Sequence, residues 1–123
     1  MSKQEILTNQ IENLCNAVPE LLGVLLASTD GLPIAHSMSN EADPGRLAAM
    51  AAAAANLGTR VSGAIEIGPF HEVTVRAAEG DLFVYSVKGR AVLAVLGPKG
   101  ANAGLIHLEA RSTAQELASL FGA

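Results

Sequence analysis

Hydrophobic and polar positions follow two different periods along the chain, and the changes of period separate helices from strands. Apolar residues spaced by three and four predict helices at the start, in the middle and at the end of the chain. Alternation, or short apolar runs between turn residues, predicts two strands before the middle helix and three after it. Since each strand-to-strand connection is short enough for a hairpin, the sequence predicts an α/β sandwich with a mainly antiparallel sheet.

The first helix carries a start signal and a stop signal. Ser2-Lys-Gln-Glu5 has the S-x-x-E form of a capping box, and Pro19 ends the helix. The apolar positions between them follow helical spacing: Ile6, Leu7, Ile11, Leu14, Cys15 and Val18. We interpret Cys15 as a small buried hydrophobe, because no His or Lys that could activate its thiol is adjacent.

The first pair of strands forms a hairpin. Leu21 to Thr29 is predicted as a mostly buried strand, and Asp30-Gly31 as the turn that follows it. The returning strand runs from Leu32 to Met38. Pro33 places this strand at a sheet edge, because proline cannot donate a hydrogen bond to a neighbouring strand.

The second group of strands forms an antiparallel meander. A strand-like piece from Ala64 to Gly68 is interrupted by Pro69, and the pattern then becomes regular. Two short turns, at Glu79-Gly80-Asp81 and Lys88-Gly89-Arg90, join the next three strands: His71 to Ala78, Leu82 to Lys88 and Ala91 to Leu96. The first alternates as a half-exposed strand does, and the last is almost wholly apolar and belongs in the middle of the sheet.

The middle helix is rich in alanine and has two distinguishable faces. Asp43 and Pro44 suit the N-cap and the first helical position. One stripe is predicted to face the core: Leu47, Met50, Ala54, Leu57 and Val61. The opposite face carries small or basic residues: Arg46, Ala49, Ala53, Asn56 and Arg60. Alanine there is explained either by its high helix propensity or by a contact surface for a second copy of the chain or a partner.

The last helix has a clear inner stripe and a clear outer one. Asn102 is its predicted N-cap. The residues predicted to face the core are Ile106, Ala110, Thr113, Leu117 and Leu120, whereas Glu109, Arg111, Gln115 and Glu116 are predicted to face solvent.

Composition restricts the class of protein. A chain of 123 residues with 50% apolar and 16% charged residues suits a single globular domain covering residues 1–123. The formal charge of −4, with scattered basic residues, argues against a nucleic-acid partner. No apolar run is long enough to span a bilayer, the N-terminus lacks a signal-peptide pattern, and Cys15 cannot form an internal disulfide. We therefore expect a cytoplasmic protein.

Catalytic and cofactor motifs do not stand out in the sequence. There is no G-x-x-x-x-G-K-[ST] motif, no G-x-S-x-G motif, and no metal-binding spacing among the three His residues and the single Cys. Gly97-Pro-Lys-Gly100 lies between a strand and a helix, as a phosphate-binding loop does, but a plain turn explains it. We expect no enzymatic activity, no cofactor and no metal.

Several segments together resemble the Roadblock dynein light-chain family. They are the hairpin Gly23 to Ala35, the alanine-rich helix after it, the strands Leu82 to Val87 and Ala91 to Leu96, and the start of the last helix, Asn102 to Arg111. Their order and spacing carry the resemblance, which covers the chain from about Ile6 to Leu120. A short, compact chain with no appended tail favours a prokaryotic member similar to the Mgl-type partners of small GTPases.

The resemblance implies a fold and a mode of assembly. The fold is a five-stranded antiparallel sheet in the order α-β-β-α-β-β-β-α, with two helices on one face and the middle helix on the other. Members of the family form homodimers in which the middle helices meet and the third strands pair edge to edge. In this sequence the helix is Pro44 to Ser62 and the strand is His71 to Ala78, with the edge residues His71, Glu72, Val73, Thr74, Val75 and Arg76.

The resemblance also implies a regulatory function. Prokaryotic members are similar to proteins that bind a small Ras-like GTPase and in some cases stimulate its hydrolysis. In this interpretation Arg46 and Arg60 are rim contacts and not catalytic fingers, because a partner can instead reposition the GTPase's own switch residues. Two alternatives stay open: a dimeric scaffold with no effect on hydrolysis, and, less favoured, a small-molecule sensor.

Overall fold

The computed structural model describes residues 1–39 and 42–121, which form three helices and five strands in the predicted order. The elements are α1 (Lys3–Ala17), β1 (Gly23–Ser28), β2 (Pro33–Met38), α2 (Pro44–Ala64), β3 (Glu72–Ala77), β4 (Gly80–Val87), β5 (Ala91–Pro98) and α3 (Ala103–Leu120). No helix in these ranges is both long enough and apolar enough to cross a bilayer.

The five strands form one antiparallel sheet with the order β2-β1-β5-β4-β3. The central position of β5 confirms the prediction from its continuous apolar sequence. Ala94 of β5 lies opposite Leu25 on one side and Val84 on the other, which fixes the register of the three inner strands. The strand that contains Pro33 is at one edge, as predicted, and β3 is at the other.

Strand alternation divides the core into two layers, one on each face of the sheet. One layer joins α1 and α3 to large strand residues such as Leu26, Phe83, Tyr85 and Leu93. The other joins α2 to Leu25, Ala27, Val84, Val92 and Ala94. This confirms the expected arrangement of two helices on one face and the middle helix on the other.

The helix starts predicted from the sequence are confirmed. Ser2 and Glu5 form a reciprocal capping box, and Asp43 accepts hydrogen bonds from the N–H groups of Gly45 and Arg46. The Asn102 side chain accepts from the N–H of Leu105. Cys15 is half-buried against the layer formed by α1 and α3, and this burial raises the pKa of its thiol, as suits a packing role.

The core-facing side of α2 differs from the predicted one. Its buried residues are Ala48, Ala51, Ala52 and Ala55. Three residues of the predicted core stripe are instead exposed, Met50 by 57%, Leu57 by 61% and Val61 by 48%, while Leu47 and Ala54 are only half-buried. The physical reason is that the helix lies close to the hairpin of β1 and β2. A Cβ added at Gly31, in the turn of this hairpin, would lie 3.1 Å from the Cα of Ala49. A helix this near the hairpin has room on its inner side for methyl groups and not for Met or Leu side chains.

The strand-like piece predicted from Ala64 to Gly68 is also wrong. Helix α2 continues to Ala64 and ends in a turn, in which the N–H of Ile65 donates to Val61 and the N–H of Ile67 to Ser62. Ile65 and Ile67 have the two-residue period of a strand, but these backbone bonds satisfy the end of the helix instead. Both isoleucine side chains remain exposed.

Two glycines of α2 provide a test of how the helix packs. A Cβ at Gly58 would lie 2.3 Å from a ring carbon of Phe70, whereas a Cβ at Gly63 would meet nothing within 4 Å. Gly58→Ala should therefore lower the free energy of unfolding by about 1 kcal/mol or more, because overpacking outweighs helix propensity. Gly63→Ala should raise it by up to about 1 kcal/mol. Urea denaturation measures both, and equal stabilisation by the two variants would contradict the packing of Phe70 on Gly58.

Candidate interaction surface

The outer face of α2 carries an apolar ridge, made of Met50, Ala53, Leu57 and Val61. Spacings of three and four place these residues on one side of the helix, opposite the buried alanines. All four are exposed. Apolar side chains in such a row gain free energy when another apolar surface covers them, at about 25 cal/mol for each Å² removed from water. The ridge is therefore a surface suited to contact with protein.

The five helix residues predicted as the contact face all lie at the surface: Arg46, Ala49, Ala53, Asn56 and Arg60. Ala53 belongs to the apolar ridge, and Arg46 lies beside its N-terminal end. Ala49, Asn56 and Arg60 follow one another along the flank of the ridge, about 65–105° around the helix from its centre line. The outer surface of α2 thus has an apolar strip and a polar, partly basic strip.

The open edge of β3 lies next to this helix. Strand β3 pairs only with β4 within the described sheet, and α2 packs against β3 as well as against the other four strands. The N–H of Ser86 donates to the carbonyl of His71 at 2.8 Å. Because hydrogen-bonded positions alternate along an antiparallel pair, Glu72, Thr74 and Arg76 direct their backbone N–H and C=O groups away from β4. These groups are available to another strand.

The side chains of β3 divide between the two faces of the sheet. Val73 packs against the α2 layer, and Val75 is on the same face but is 48% exposed. Glu72, Thr74 and Arg76 are on the opposite face, since they lie across from Tyr85, Phe83 and Asp81. His71 is exposed and immediately precedes the strand. The predicted edge residues therefore lie together, with an apolar side and a charged side.

A polar cluster ties the beginning of β3 to α3. The guanidinium of Arg111 binds both carboxylate oxygens of Glu72, with Nε 2.9 Å from Oε2. Nδ1 of His107 lies 2.8 Å from the hydroxyl of Tyr85 and 3.7 Å from Oε1 of Glu72. The His107 ring also meets Phe83 and Tyr85 edge to face. These contacts hold the charged side of β3 against the last helix.

The electrostatics of this cluster follow from its geometry. Hydrogen bonding to Arg111 lowers the pKa of Glu72 and raises the pKa of Arg111. Burial raises the pKa of Tyr85, so its hydroxyl stays protonated and able to donate. A cleft of about 690 Å³ opens beside the cluster and is lined in part by Phe70, Glu72, Tyr85 and Arg111. Within residues 1–39 and 42–121, no three potential metal ligands lie together.

Sequence reasoning does not find this cluster. Glu72 and Arg111 are separated by 39 positions, so no local spacing relates them. The sequence predicts that Arg111 faces solvent, and its side chain is indeed exposed while it binds Glu72. The signal that could have revealed the contact is the pairing of β3 with β4 and the packing of α3 on β4, which only the tertiary fold supplies.

The fold and this surface define the class of protein as a three-layer α+β domain with an exposed apolar helix and an open sheet edge. The chain belongs to the Roadblock/LC7 domain family, whose model matches residues 7–97. Two uncharacterized proteins of the archaeon Methanocaldococcus jannaschii are each 26% identical to it over 106 residues, which is 86% of this chain and 92% of each relative.

Solved structures share the whole fold. Myxococcus xanthus MglB has a TM-score of 0.89 at 20% identity, over 98% of this chain and 91% of that one. A Roadblock/LC7 domain from Streptomyces avermitilis has a TM-score of 0.85 at 23% identity, over 93% and 96%. The gliding protein MglB from Thermus thermophilus has a TM-score of 0.85 at 18% identity, over 98% and 91%. The recognition of a Roadblock member similar to the Mgl-type proteins is confirmed.

The Glu72–Arg111 contact predicts a pH dependence. A carboxyl whose pKa is lowered by folding stabilises the folded state above its unfolded pKa of about 4.3, and this stabilisation is lost as the pH falls through the lowered value. Glu72→Gln should therefore reduce the free energy of unfolding at pH 7, and the difference from wild type should shrink in acid. Denaturation at several pH values measures this. A difference that grows as the pH falls would contradict the ion pair, and Arg111→Gln is the matched variant.

Proposed function

We propose that this protein is a non-enzymatic homodimeric regulator that binds a small Ras-like GTPase and modulates its nucleotide cycle, with stimulation of hydrolysis as one form of that effect. The observation that carries the proposal is the apolar ridge of α2 beside the open edge of β3. Membership of the Roadblock/LC7 family and the fold shared with MglB support it.

A homodimer would cover both the apolar ridge of α2 and the open edge of β3. The ridge needs an apolar partner, and the open edge needs a strand. A second copy of the chain supplies both at once if a two-fold axis passes between the β3 strands and the two α2 helices meet on the same side of the sheet. Small residues such as Ala53 would let the helix backbones approach closely. Covering Met50, Leu57 and Val61 would then remove from water the side chains that the monomer leaves exposed.

The GTPase contact is assigned to the surface that the paired helices would leave open. Ala49, Asn56 and Arg60 lie on the flank of the ridge, and two copies would present this flank twice. Arg46 and Arg60 act as rim contacts on an acidic or polar GTPase surface. Modulation would come from repositioning the switch segments of the GTPase, a change that requires no catalytic group from the regulator.

Charges placed in the ridge should break the proposed dimer. Leu57→Glu and Ala53→Glu would bring two carboxylates together at the contact and desolvate them, so each should raise the dimer dissociation constant at least tenfold. Leu108→Glu is the matched control, since Leu108 is an exposed apolar residue, 66% accessible, on the opposite helical layer. Light scattering over a concentration series measures the mass. An unchanged dimer mass for the ridge variants would show that the helices do not meet there.

The regulatory activity can be tested with a Ras-like GTPase from the same organism. We expect this protein to bind it more tightly in one nucleotide state and to change its rate of GTP hydrolysis. Arg46→Ala and Arg60→Ala should weaken binding only severalfold, whereas loss of an arginine finger would cost about 10³-fold or more in rate. Binding with an unchanged rate would favour the scaffold. No binding in either nucleotide state would refute the GTPase assignment.

A further inference from the structure

We propose that the open edge of β3 pairs with β3 of a second copy in one register, centred on Thr74, with Glu72 of each copy opposite Arg76 of the other. This inference rests on the homodimer proposed above and specifies how its two sheets join. Two reciprocal ion pairs on one face of the joined sheet, and two valine pairs on the other, would define the register.

The backbone restricts the possible registers first. Glu72, Thr74 and Arg76 direct their N–H and C=O groups outward, whereas the alternate residues direct theirs at β4. In an antiparallel pair formed by two such edges, an outward-directed residue must lie opposite another outward-directed residue. One residue must then lie directly opposite its own copy, with the two-fold axis between the two.

The alternation of side chains along the strand agrees with this restriction. When one residue lies opposite its own copy, every other pair of opposite residues differs by an even number of positions. The two side chains of each pair then lie on the same face of the joined sheet. Both α2 helices then lie on one side of the joined sheet, where the apolar ridges can meet. An axis level with the midpoint between two residues would set each residue opposite one whose side chain points to the other face, which the pleat of paired strands does not allow.

The length of β3 leaves two registers with extensive pairing. Strand β3 spans Glu72–Ala77. With the two-fold axis level with Thr74, the segment from Glu72 to Arg76 of one copy pairs with the same segment of the other copy. With the axis level with Val75, the paired segment runs from Val73 to Ala77. An axis at Val73 or Arg76 would use only half of the strand. Strand length therefore excludes these shorter registers and leaves the choice between Thr74 and Val75.

Charge decides between the two registers. With the axis at Thr74, Glu72 lies opposite the partner's Arg76 and Val73 lies opposite the partner's Val75, and symmetry repeats both pairs. With the axis at Val75, Arg76 would lie opposite a threonine, and Glu72 would fall beyond the paired region. Opposite charges and β-branched residues directly across an antiparallel pair are both favourable, so the Thr74 register is preferred.

Both charged groups can make the new contact. The Arg76 side chain is 83% exposed, and its contact with Asp81, Nε to Oδ2, is long at 3.7 Å. Glu72 is already bound by Arg111, but an ionised carboxylate has about four acceptor positions, which leaves room for a second guanidinium. The joined cluster would contain Arg111, Glu72, the partner's Arg76 and the partner's Asp81, two positive and two negative charges.

Cysteine cross-linking tests the register directly. In the Thr74 register the two Thr74 residues form a hydrogen-bonded pair with Cα atoms about 5.5 Å apart, within the range that a disulfide can span. Thr74→Cys, in a Cys15→Ser background, should oxidise to a covalent dimer with a yield at least tenfold above that of Val73→Cys or Val75→Cys. Preferential cross-linking of Val75→Cys or Val73→Cys would overturn the Thr74 register.

Charge reversal provides a second test. Arg76→Glu and Glu72→Lys each create two like-charge contacts in a homodimer and should weaken self-association about tenfold. Mixing the two variants should restore a heterodimer to within about threefold of wild-type affinity, because both ion pairs are then opposite in sign. Arg111→Gln, which loses only the internal contact, should keep the dimer. Failure of the mixture to recover would overturn the proposed pairs.

These measurements separate the register from the dimer itself. Light scattering of the wild-type chain reports whether a homodimer exists at all. A homodimer in which none of the three cysteine variants cross-links would refute β3 pairing while leaving the homodimer standing. A wild-type monomer at high concentration would refute the dimer and the register together.

Discussion

The close packing of alanine methyl groups between α2 and the sheet is the constraint on which the exposed surface depends. Ala48, Ala51 and Ala55 fill this layer, facing strand residues that are themselves mostly small or β-branched. A thin layer brings the helix near the strands and leaves no room there for long apolar side chains. Met50, Leu57 and Val61 therefore lie on the outside, where the isolated domain cannot bury them. Because alanines occupy the buried side of the helix, its larger apolar residues form the exposed surface on the other side.

The opposite face of the sheet is built in another way. There α1 and α3 cover large side chains such as Phe83, Tyr85 and Leu93, so this layer supplies most of the bulky core. Helix α3 packs on β4, and its Arg111 and His107 contact β3 at Glu72. An ion pair at this place fixes the orientation of the strand without covering its edge. The result is an edge that is held in position and still has backbone groups free to pair.

Sequence patterns predicted the elements well because capping, turn chemistry and period are local properties. Ser2, Asp43 and Asn102 cap the helices as predicted, and the apolar run of β5 lies in the centre of the sheet. The faces of α2 could not be predicted in this way. Its large apolar stripe and its alanine stripe both have helical spacing, and the usual preference for burying the larger residues selects the wrong one. The deciding quantity, the distance between helix and sheet, is a property of the whole fold.

The same limit explains what was missed in the candidate site. The exposure of Arg46, Asn56 and Arg60 could be predicted, since polar and basic residues mark an outer face, and helical spacing places Ala49 and Ala53 on the same face. The contact of Glu72 with Arg111 could not, because it joins distant elements. Yet once the strand register with β4 is known, the sequence of β3 becomes informative again. A strand with Glu72 and Arg76 on one face, equally spaced from Thr74, is complementary to itself under a two-fold axis. The exposed apolar face of α2 and the open edge of β3 are the two surfaces that the proposed homodimer would cover together.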